Sequence, residues 1–492
     1  MSKRAGLPAG RRVLLDDRIR LWGNASVVLG GSPWGVTRIA PAGRAFVRRL
    51  RDAGRAGAVP AAGVEHSLAD LLVARGIAHP LVAGATAAAG EVDVIVPAYE
   101  RPELLDICLA SLSAATPARI LVVDDASIDP AVSEVARLRG AVVVRHPVNR
   151  GPAAARNSGL NASTSPIVAF VDADCASTEG WLEPLVVHFD DPRVGAVAPR
   201  IIARSASRGL LARYEQARSA LDMGPRPELV AHGAPLGFLP SAALVVRRSA
   251  LGDKAFDEEM RVGEDVDLIW RLVDQGWLVR YEPASIVTHQ TRPSARGWLR
   301  QVFGYGTSAA ALESRHPGRL APARLSGWNL AIVALLMGHR IPRRTAIVGA
   351  LGGTAAVCGL LARSLRSSSV DPRIAPYIVG KGLISDLEAT GHWLRREAWP
   401  IGWLALVSMP RSRWARLGAG VMVGPIIREW FDRRPDVDMA RYVALHLAED
   451  AAYGSGVLAR ARGLHGLAVL APRIRLPHLP RRAAMRQANR QR

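Results

Sequence analysis

Val168-Ala-Phe-Val-Asp172-Ala-Asp174 decides the fold: a short apolar run ends abruptly in two carboxylates two residues apart. In an extended chain, residues i and i+2 point to the same side. At the carboxyl end of a buried parallel strand, both acids would face the crevice where open α/β sheets bind ligands. Two acids placed there can share a hard divalent cation, which in turn grips a diphosphate. The pattern is weak by itself, because Asp265-Val-Asp267 repeats it further on and a solvated turn would read the same way. The flanking segments decide between the two.

Upstream, Val92–Val96 reads as a strand ending at Pro97-Ala-Tyr99-Glu100-Arg101-Pro102, and Glu103–Ser113 as a helix. A second strand, Ile120–Val123, ends in Asp124-Asp125-Ala-Ser127. A third, Ala141–Arg145, leads to Asn149-Arg-Gly151-Pro-Ala-Ala-Ala-Arg156-Asn157, which opens another helix. The fourth, Ile167–Val171, delivers the two aspartates. Strand and helix alternating at this rhythm predict a parallel sheet with crossover helices. The polar residues all fall just after strands, on the ligand-binding edge. Gly151 permits close backbone approach, and an arginine near a helix start suits an anion; a capped surface helix with a solvated Arg156 is the bland alternative. Asp124 likewise reads either as a ligand to a base or as an Asx turn with Ser127. Downstream, Phe256-Asp257-Glu258 precedes Gly263-Glu264-Asp265-Val-Asp267-Leu-Ile-Trp270-Arg271-Leu272. Glu264 and Asp265 begin a helix with an apolar stripe of Leu268, Ile269 and Leu272, where the helix dipole favours acids in any case.

Taken together, Val94-Ile-Val-Pro97-Ala-Tyr99, the Asp124 block, the Asn149–Asn157 block, Asp172-Ala-Asp174 and the Glu264–Leu272 block resemble the ordered motifs of family 2 glycosyltransferases. The resemblance covers about Val92 to Arg292 and implies an α/β, Rossmann-like GT-A domain that binds a nucleotide sugar. It implies that Pro97, Tyr99 and Glu100 border the nucleotide and that Asp124 accepts from its base. Asn149, Gly151 and Arg156 would meet the diphosphate, and Asp172 the ribose and metal region. Asp174 would be the main ligand to Mg²⁺ or Mn²⁺, with His289 completing the site. Where many relatives carry a third acid, this chain has Cys175. Asp265 would be the general base of an inverting transfer, and Glu264 its neighbour. Pro240 and Ser241, in a loop before that helix, and Trp270 on it, would face the acceptor. The Gln-x-x-Arg-Trp signature of processive synthases is missing: the corresponding place reads Arg300-Gln-Val-Phe-Gly304-Tyr305-Gly306.

Composition bounds the rest. At 492 residues the chain is long for one domain. Its net charge of +21 is carried by arginine, with lysine only at Lys3, Lys254 and Lys381. A cationic surface favours anionic partners, a sugar nucleotide or an anionic membrane face. No recognition helix rich in arginine and asparagine is evident, so nucleic acid is not an expected partner. Three scattered cysteines, Cys108, Cys175 and Cys358, exclude a disulfide framework and suit a reducing cytoplasm. Basic residues at the N-terminus lack an apolar stretch behind them, so no secretory signal is expected.

The domain plan expected is a tail at 1–12, a small domain at 13–82, the GT-A domain at 91–315, a helical region at 325–460 and a basic tail at 461–492. In the small domain, Arg18–Trp22, Ser26–Leu29 and Trp34–Ile39 read as strands, Pro41 starts a helix that buries Phe46, Val47 and Leu50, and Ser67 caps a second helix ending at Gly76. That layout resembles the PqqD-like winged-helix modules, which hold the leader of a ribosomally made peptide. Ala83–Gly90 reads as a link. In the C-terminal region, Thr345–Ala362 is an uncharged stretch of 18 residues, and Trp399–Met409 and Leu417–Ile427 are apolar. Arginines and tryptophans beside such segments suit helices at a membrane surface; a spanning segment and a buried helical core are the alternatives. The basic tail is expected to be a flexible arm.

The whole assembly is similar to the mycofactocin-system glycosyltransferases of actinobacteria. That resemblance implies glucose transfer from UDP-glucose to a peptide-derived redox cofactor precursor, giving a short β-linked oligosaccharide; the cysteines and the apolar helices set the expected place in the cytoplasm, at the inner face of the membrane. Two rival readings are a family 2 enzyme of cell-envelope polysaccharide or glycolipid assembly, and a non-enzymatic peptide- or nucleic-acid-binding protein.

Overall fold

The structure, a computed structural model, describes residues 6–82, 91–114, 117–205, 207–252, 255–292, 294–338, 340–461 and 468–475. It divides into two compact units, Met1–Trp298 and Leu299–Arg492.

The first unit is built on one large sheet. Val92–Ala98, Arg119–Asp124, Val142–Arg145 and Ile167–Val171 pair in parallel, joined by the helices Pro102–Ser113, Ala131–Leu138 and Pro152–Ala162. Strands covered on both faces read as continuous apolar runs: Val94, Ile95, Val96, Val168, Phe170 and Val171 are fully buried. One core lies on the face carrying Leu105, Leu109 and Leu112, and the other packs Phe170, Leu268, Ile269 and Tyr281. Phe170 meets Phe256 edge to face at 5.0 Å between ring centroids.

The sheet is mixed, which corrects the expected all-parallel arrangement. Ala243–Arg247 runs antiparallel to both Ile167–Val171 and Val194–Arg204. The chain enters this strand from the ligand edge, directly after Pro240-Ser241, so it must run the other way. Beyond it, Val194–Arg204 runs parallel to Leu278–Gln290, whose end is flanked by the short strand Cys175–Ser177. The carboxyl ends of the parallel strands and the start of the antiparallel one therefore share one edge.

The N-terminal part of this unit has its own small core of Val28, Phe46, Val47, Leu50 and Leu72. Arg20–Trp22, Val27–Gly30 and Gly35–Arg38 form an antiparallel sheet, and Val13–Leu15 pairs with Ala78–Pro80. Pro41 opens a tight turn into the helix Arg44–Ala53, which buries Phe46, Val47 and Leu50. Ser67 is not a cap: its N–H already donates to Gly63 O, 3.0 Å, and the helix begins one turn earlier, at Val64. The Ala83–Gly90 link lies outside the described residues.

The second unit is helical: Gly327–Met337, Arg343–Ser367, Ala375–Arg395, Trp399–Ser408, Arg413–Arg433 and Met439–Arg460. Its interior holds Met422, Ile426 and Tyr442, with a buried ion pair, Arg395 Nε to Asp450 Oδ2 at 2.8 Å. Helices approach closely at Gly454, where an added Cβ would stand 1.7 Å from Arg396 O. Thr345–Ala362 lies within a helix of 25 residues with mean hydropathy 1.8 over its most apolar window, of which 11% is buried. Part of the basic tail is ordered: Arg473–Arg475 pairs in parallel with Arg324–Ser326. Residues 476–492 lie outside the described part.

Candidate active site

Three loops meet at the shared edge. The first follows Val92–Ala98. Pro97 is the penultimate residue of that strand and Tyr99 is exposed just beyond it. Glu100 turns back across the neighbouring loop: its N–H donates to Ser127 Oγ (2.9 Å) and its carboxylate accepts from Ile128 N (2.9 Å).

Asp124 ends the second strand completely buried. Its carboxylate accepts from Ser127 N (2.9 Å), Ser133 Oγ (2.6 Å) and the Arg145 guanidinium. Burial raises this carboxyl, but Ser133, Ser127 and Arg145 more than offset it and hold it below its ordinary value. An ionised carboxylate has about four lone-pair positions, and three are taken. Completely buried and held by these three donors, Asp124 is a strut of the loop.

The adjacent Asp125 is a residue that sequence reasoning passed over. Its side chain accepts from Gly151 N (2.7 Å), Arg150 N (2.9 Å) and His146 Nδ1 (2.7 Å). His146 Nε2 in turn meets Ser158 Oγ at 2.8 Å. Asp125 thus shapes the Asn149–Gly151 loop, where Asn149 Nδ2 donates to Asp125 O (3.3 Å) and Gly151 sits at φ 91°. The signal was the pair itself: consecutive acids point to opposite sides of an extended chain, so the second needed a task of its own.

Arg156 was expected on the diphosphate, and the structure corrects this. It is 3% exposed, with Nη2 donating to Asp172 Oδ1 (2.7 Å) and Nη1 to Glu264 Oε1 (2.8 Å). Burial works against its charge, and the two carboxylates outweigh that, so its proton is held more firmly than usual. Its neighbour Asn157 pins the Phe256–Glu258 segment with three bonds, Nδ2 to Phe256 O (2.9 Å) and to Glu258 Oε1 (3.0 Å), and Phe256 N to Oδ1 (3.0 Å). Arg156 joins Asp172 to Glu264.

A second tie runs beside the first. Asp172 N donates to Ala242 O (3.0 Å), and Ser241 N donates to Asp265 Oδ2 (3.2 Å). Pro240 and Ser241 are buried beneath this crossing, and Trp270 supports the loop from below through Nε1 to Gly237 O at 2.9 Å. Trp270 is therefore buried scaffold for the loop at Gly237, not an exposed platform.

Asp265 and Glu264 open the helix Glu264–Asp274 after Gly263, whose φ of 86° suits a glycine. Glu264 is buried, and that burial pushes its carboxyl up to about 7 against the pull of Arg156. Burial also raises the half-buried Asp265.

Asp174 and His289 come together because Cys175 and His289 are opposite in the antiparallel ladder. Their Oδ1 and Nε2 stand 3.4 Å apart. Burial raises the Asp174 carboxyl, while His289, Arg292 and Arg101 bring it below its ordinary value. Cys175, in the place of a third acid, is buried in the apolar core. Among the described residues no group of three His, Cys, Asp or Glu could hold a metal. One carboxylate and one imidazole still fit a Mg²⁺ or Mn²⁺ ion that takes its other ligands from donor phosphates and water.

Residues 93–253 match glycosyl transferase family 2. The chain is 35% identical over 485 residues to the pre-mycofactocin glycosyltransferase of Mycobacterium tuberculosis, across 95% of this chain and 99% of that one. It is 27% identical over 226 residues to the glycosyltransferase AglE of Haloferax volcanii, across 44% of this chain and 71% of that one. A solved structure of the mannosyltransferase PcManGT from Pyrobaculum calidifontis, in complex with GDP-Man and Mn²⁺, aligns with a TM-score of 0.35 at 17% identity, covering 70% of this chain and 87% of that one. With a crevice of ordered acids on a GT-A-like sheet and that identity over nearly its whole length, the chain belongs to the pre-mycofactocin glycosyltransferases of family 2.

Proposed function

We infer that the enzyme moves glucose from UDP-glucose to a peptide-derived mycofactocin precursor by a single inverting displacement. The acceptor follows the likeness to the pre-mycofactocin glycosyltransferase, and the observation that carries the displacement is the double tie between Asp172 and the Glu264–Asp265 pair, through Arg156–Glu264 and through Ser241–Ala242. It sets a donor-side acid and a candidate base in one rigid frame, as a direct displacement needs.

In this reading the Pro97–Glu100 loop and the strut at Asp124 border the nucleotide, and Asn149 and Gly151 shape its phosphate end. Asp265 takes the proton from an acceptor hydroxyl as that oxygen bonds to the anomeric carbon. The bond from that carbon to the phosphate oxygen breaks, and UDP leaves with the electron pair. Asp174 and His289 would hold the divalent cation, whose contribution is to neutralise charge developing on the diphosphate. The α-linked donor then gives a β-glycoside. The small N-terminal domain, read as winged-helix-like, would hold the peptide part of the acceptor.

The test is mass spectrometry of reactions with the peptide-derived acceptor and UDP-glucose, UDP-galactose or GDP-mannose. Hexose addition from UDP-glucose, abolished by chelator, is the expected result. Transfer only to a membrane lipid extract would favour envelope assembly instead.

The paired acids give a pH signature. A raised carboxyl binds its proton more firmly in the folded chain, so Glu264 contributes stability fully below about 4.5, lost as pH rises through about 7. Protonation of Asp265, which burial also raises, should lower the rate on acidification, and Glu264→Gln should reduce that limb to one ionisation. An unchanged limb near pH 4 in both forms would remove the pair from the mechanism.

We also infer that the second unit attaches to the inner face of the cell membrane. Val348, Leu351, Leu404 and Val407 are each 65% or more exposed on apolar helices, with Arg343 and Arg344 at one helix start. Exposed apolar area beside arginines suits an anionic bilayer surface. Sedimentation with phosphatidylglycerol vesicles should be lost in Val348→Glu/Leu351→Glu. Equal sedimentation of both forms would count against the attachment.

A further inference from the structure

The short ladder that orders part of the basic tail also gathers charge. Arg324–Ser326 and Arg473–Arg475 pair in parallel, with Arg324 opposite Arg473 and Ser326 opposite Arg475. Paired residues share a face of a ladder, and residues i and i+2 of a strand do too. Arg324, Arg473 and Arg475 therefore line one side of this ribbon, the last two about 7 Å apart along their strand. Arg319 adjoins them, its carbonyl accepting from Arg324 Nη2 at 3.3 Å.

The acids nearby are occupied. Glu313 Oε1 accepts from Arg473 Nη2 and from Gly318 N, each at 2.8 Å. Asp386 Oδ2 accepts from Ser326 N (2.8 Å) and Asn329 Nδ2 (2.6 Å). Among the described residues Arg324 bonds only a backbone carbonyl, and Arg475 is exposed without an acid partner. Burial and the charges of Arg475, Arg473 and Arg319 all push the Arg324 guanidinium down from its ordinary value. Like charges directly opposite on a ladder are destabilising, and an anion between them removes that cost.

Apolar surface begins where the ribbon ends. Ser326 leads straight into the helix Gly327–Met337, which runs antiparallel to Arg343–Ser367: Leu335 stands against Gly349 and Ile332 against Gly353. Continuing that register brings the exposed Leu360 beside the start of the shorter helix, with the exposed Arg363 and Arg366 beyond it. Cationic ribbon and apolar helices are thus contiguous, as headgroups and acyl chains are in one leaflet. After Arg475 the sequence adds Arg481, Arg482, Arg486, Arg490 and Arg492 and no acid. A soluble polyanion matches the charge alone, whereas an anionic bilayer matches the charge and its apolar neighbour.

We propose that Arg324 and Arg475 bind the phosphates of anionic lipids, at the end of the second unit that meets the headgroup layer. This rests on the membrane attachment inferred above, and adds a lipid preference and the residues that set it. A guanidinium fits phosphate oxygens through paired, charge-assisted hydrogen bonds.

Sedimentation of the full chain with vesicles of phosphatidylcholine, and with vesicles also containing phosphatidylglycerol, tests the assignment. Wild type should prefer the anionic vesicles, and added salt should weaken that preference. Arg324→Gln/Arg475→Gln should lose roughly 5-fold in anionic-vesicle binding for each arginine removed. It should bind phosphatidylcholine as wild type does, and melt at or above wild type because repulsion is relieved. The double lysine variant should keep most of the preference. Anionic-vesicle binding equal to wild type in the glutamine variant would overturn the proposal. An equal loss on both kinds of vesicle, the mark of a merely structural change, would do the same. Should the double variant not fold, Arg475→Gln carries the test alone, and unchanged anionic-vesicle binding in it would overturn the proposal. Tighter binding of wild type to a single-stranded oligonucleotide than to either vesicle would make the ribbon a nucleic-acid site instead. Wild type binding neither vesicle would sink the attachment reading, and the lipid site with it.

Discussion

Asp265→Asn is expected to lower kcat by about 10²- to 10⁴-fold, the range for a lost general base, while UDP affinity stays within about twofold. Asparagine keeps the size of the side chain, and its carbonyl can still accept from Ser241 N or Val266 N, which now bond the carboxylate at 3.2 and 2.8 Å. What it loses is a site for the acceptor's proton. Single-turnover rates with saturating donor, beside calorimetric UDP affinity, separate the two quantities. A variant that transfers hexose at more than about a tenth of the wild-type rate would leave Asp265 without the role of base.

The second large effect is on stability. Arg156 is buried between two carboxylates, with its Cζ 5.4 Å from the centre of the Phe256 ring. Replacing it by methionine keeps most of the packing but strands Asp172 and Glu264 together. Breaking one side of a buried ion pair costs about 3–5 kcal/mol, on the order of 10 °C in melting temperature for a unit of this size. The loss should deepen as pH rises, because Glu264, raised to about 7 even beside Arg156, stays protonated without it and binds a proton that the unfolded chain does not. If Arg156→Met melts like wild type, Asp172 and Glu264 are not held together through this side chain.

Much of the GT-A sheet could be read directly because its strands are buried on both faces and its polar residues follow them in order. Val94–Val96 and Val168–Val171 are apolar runs of strand length, and each ends at a turn carrying acids. Strand direction is another matter: Ala243–Arg247 is apolar in the same way, and nothing in its composition says that it runs antiparallel. Ser67 had the chemistry of a cap but sat one turn inside a helix that begins at Val64.

In the site, the residue types were legible and their partners were not. Arg156 and Glu264 lie 108 residues apart, so their pairing is a property of the fold. Seen alone, an arginine near a helix start predicts an anion, and the anion turned out to be two protein carboxylates. Asp124 shows the same lesson: Ser133 and Arg145, from other elements, hold its carboxylate. Asp174 and His289 meet because of a short antiparallel pairing at Cys175, which no local pattern announces.

The most direct test of an inverting displacement based on Asp265 is the anomeric configuration of the first transferred sugar. Proton NMR of the product from UDP-glucose and the peptide-derived acceptor should show a β-glycoside as its first-formed species. An α-glycoside would contradict a single displacement and remove Asp265 from the role of base.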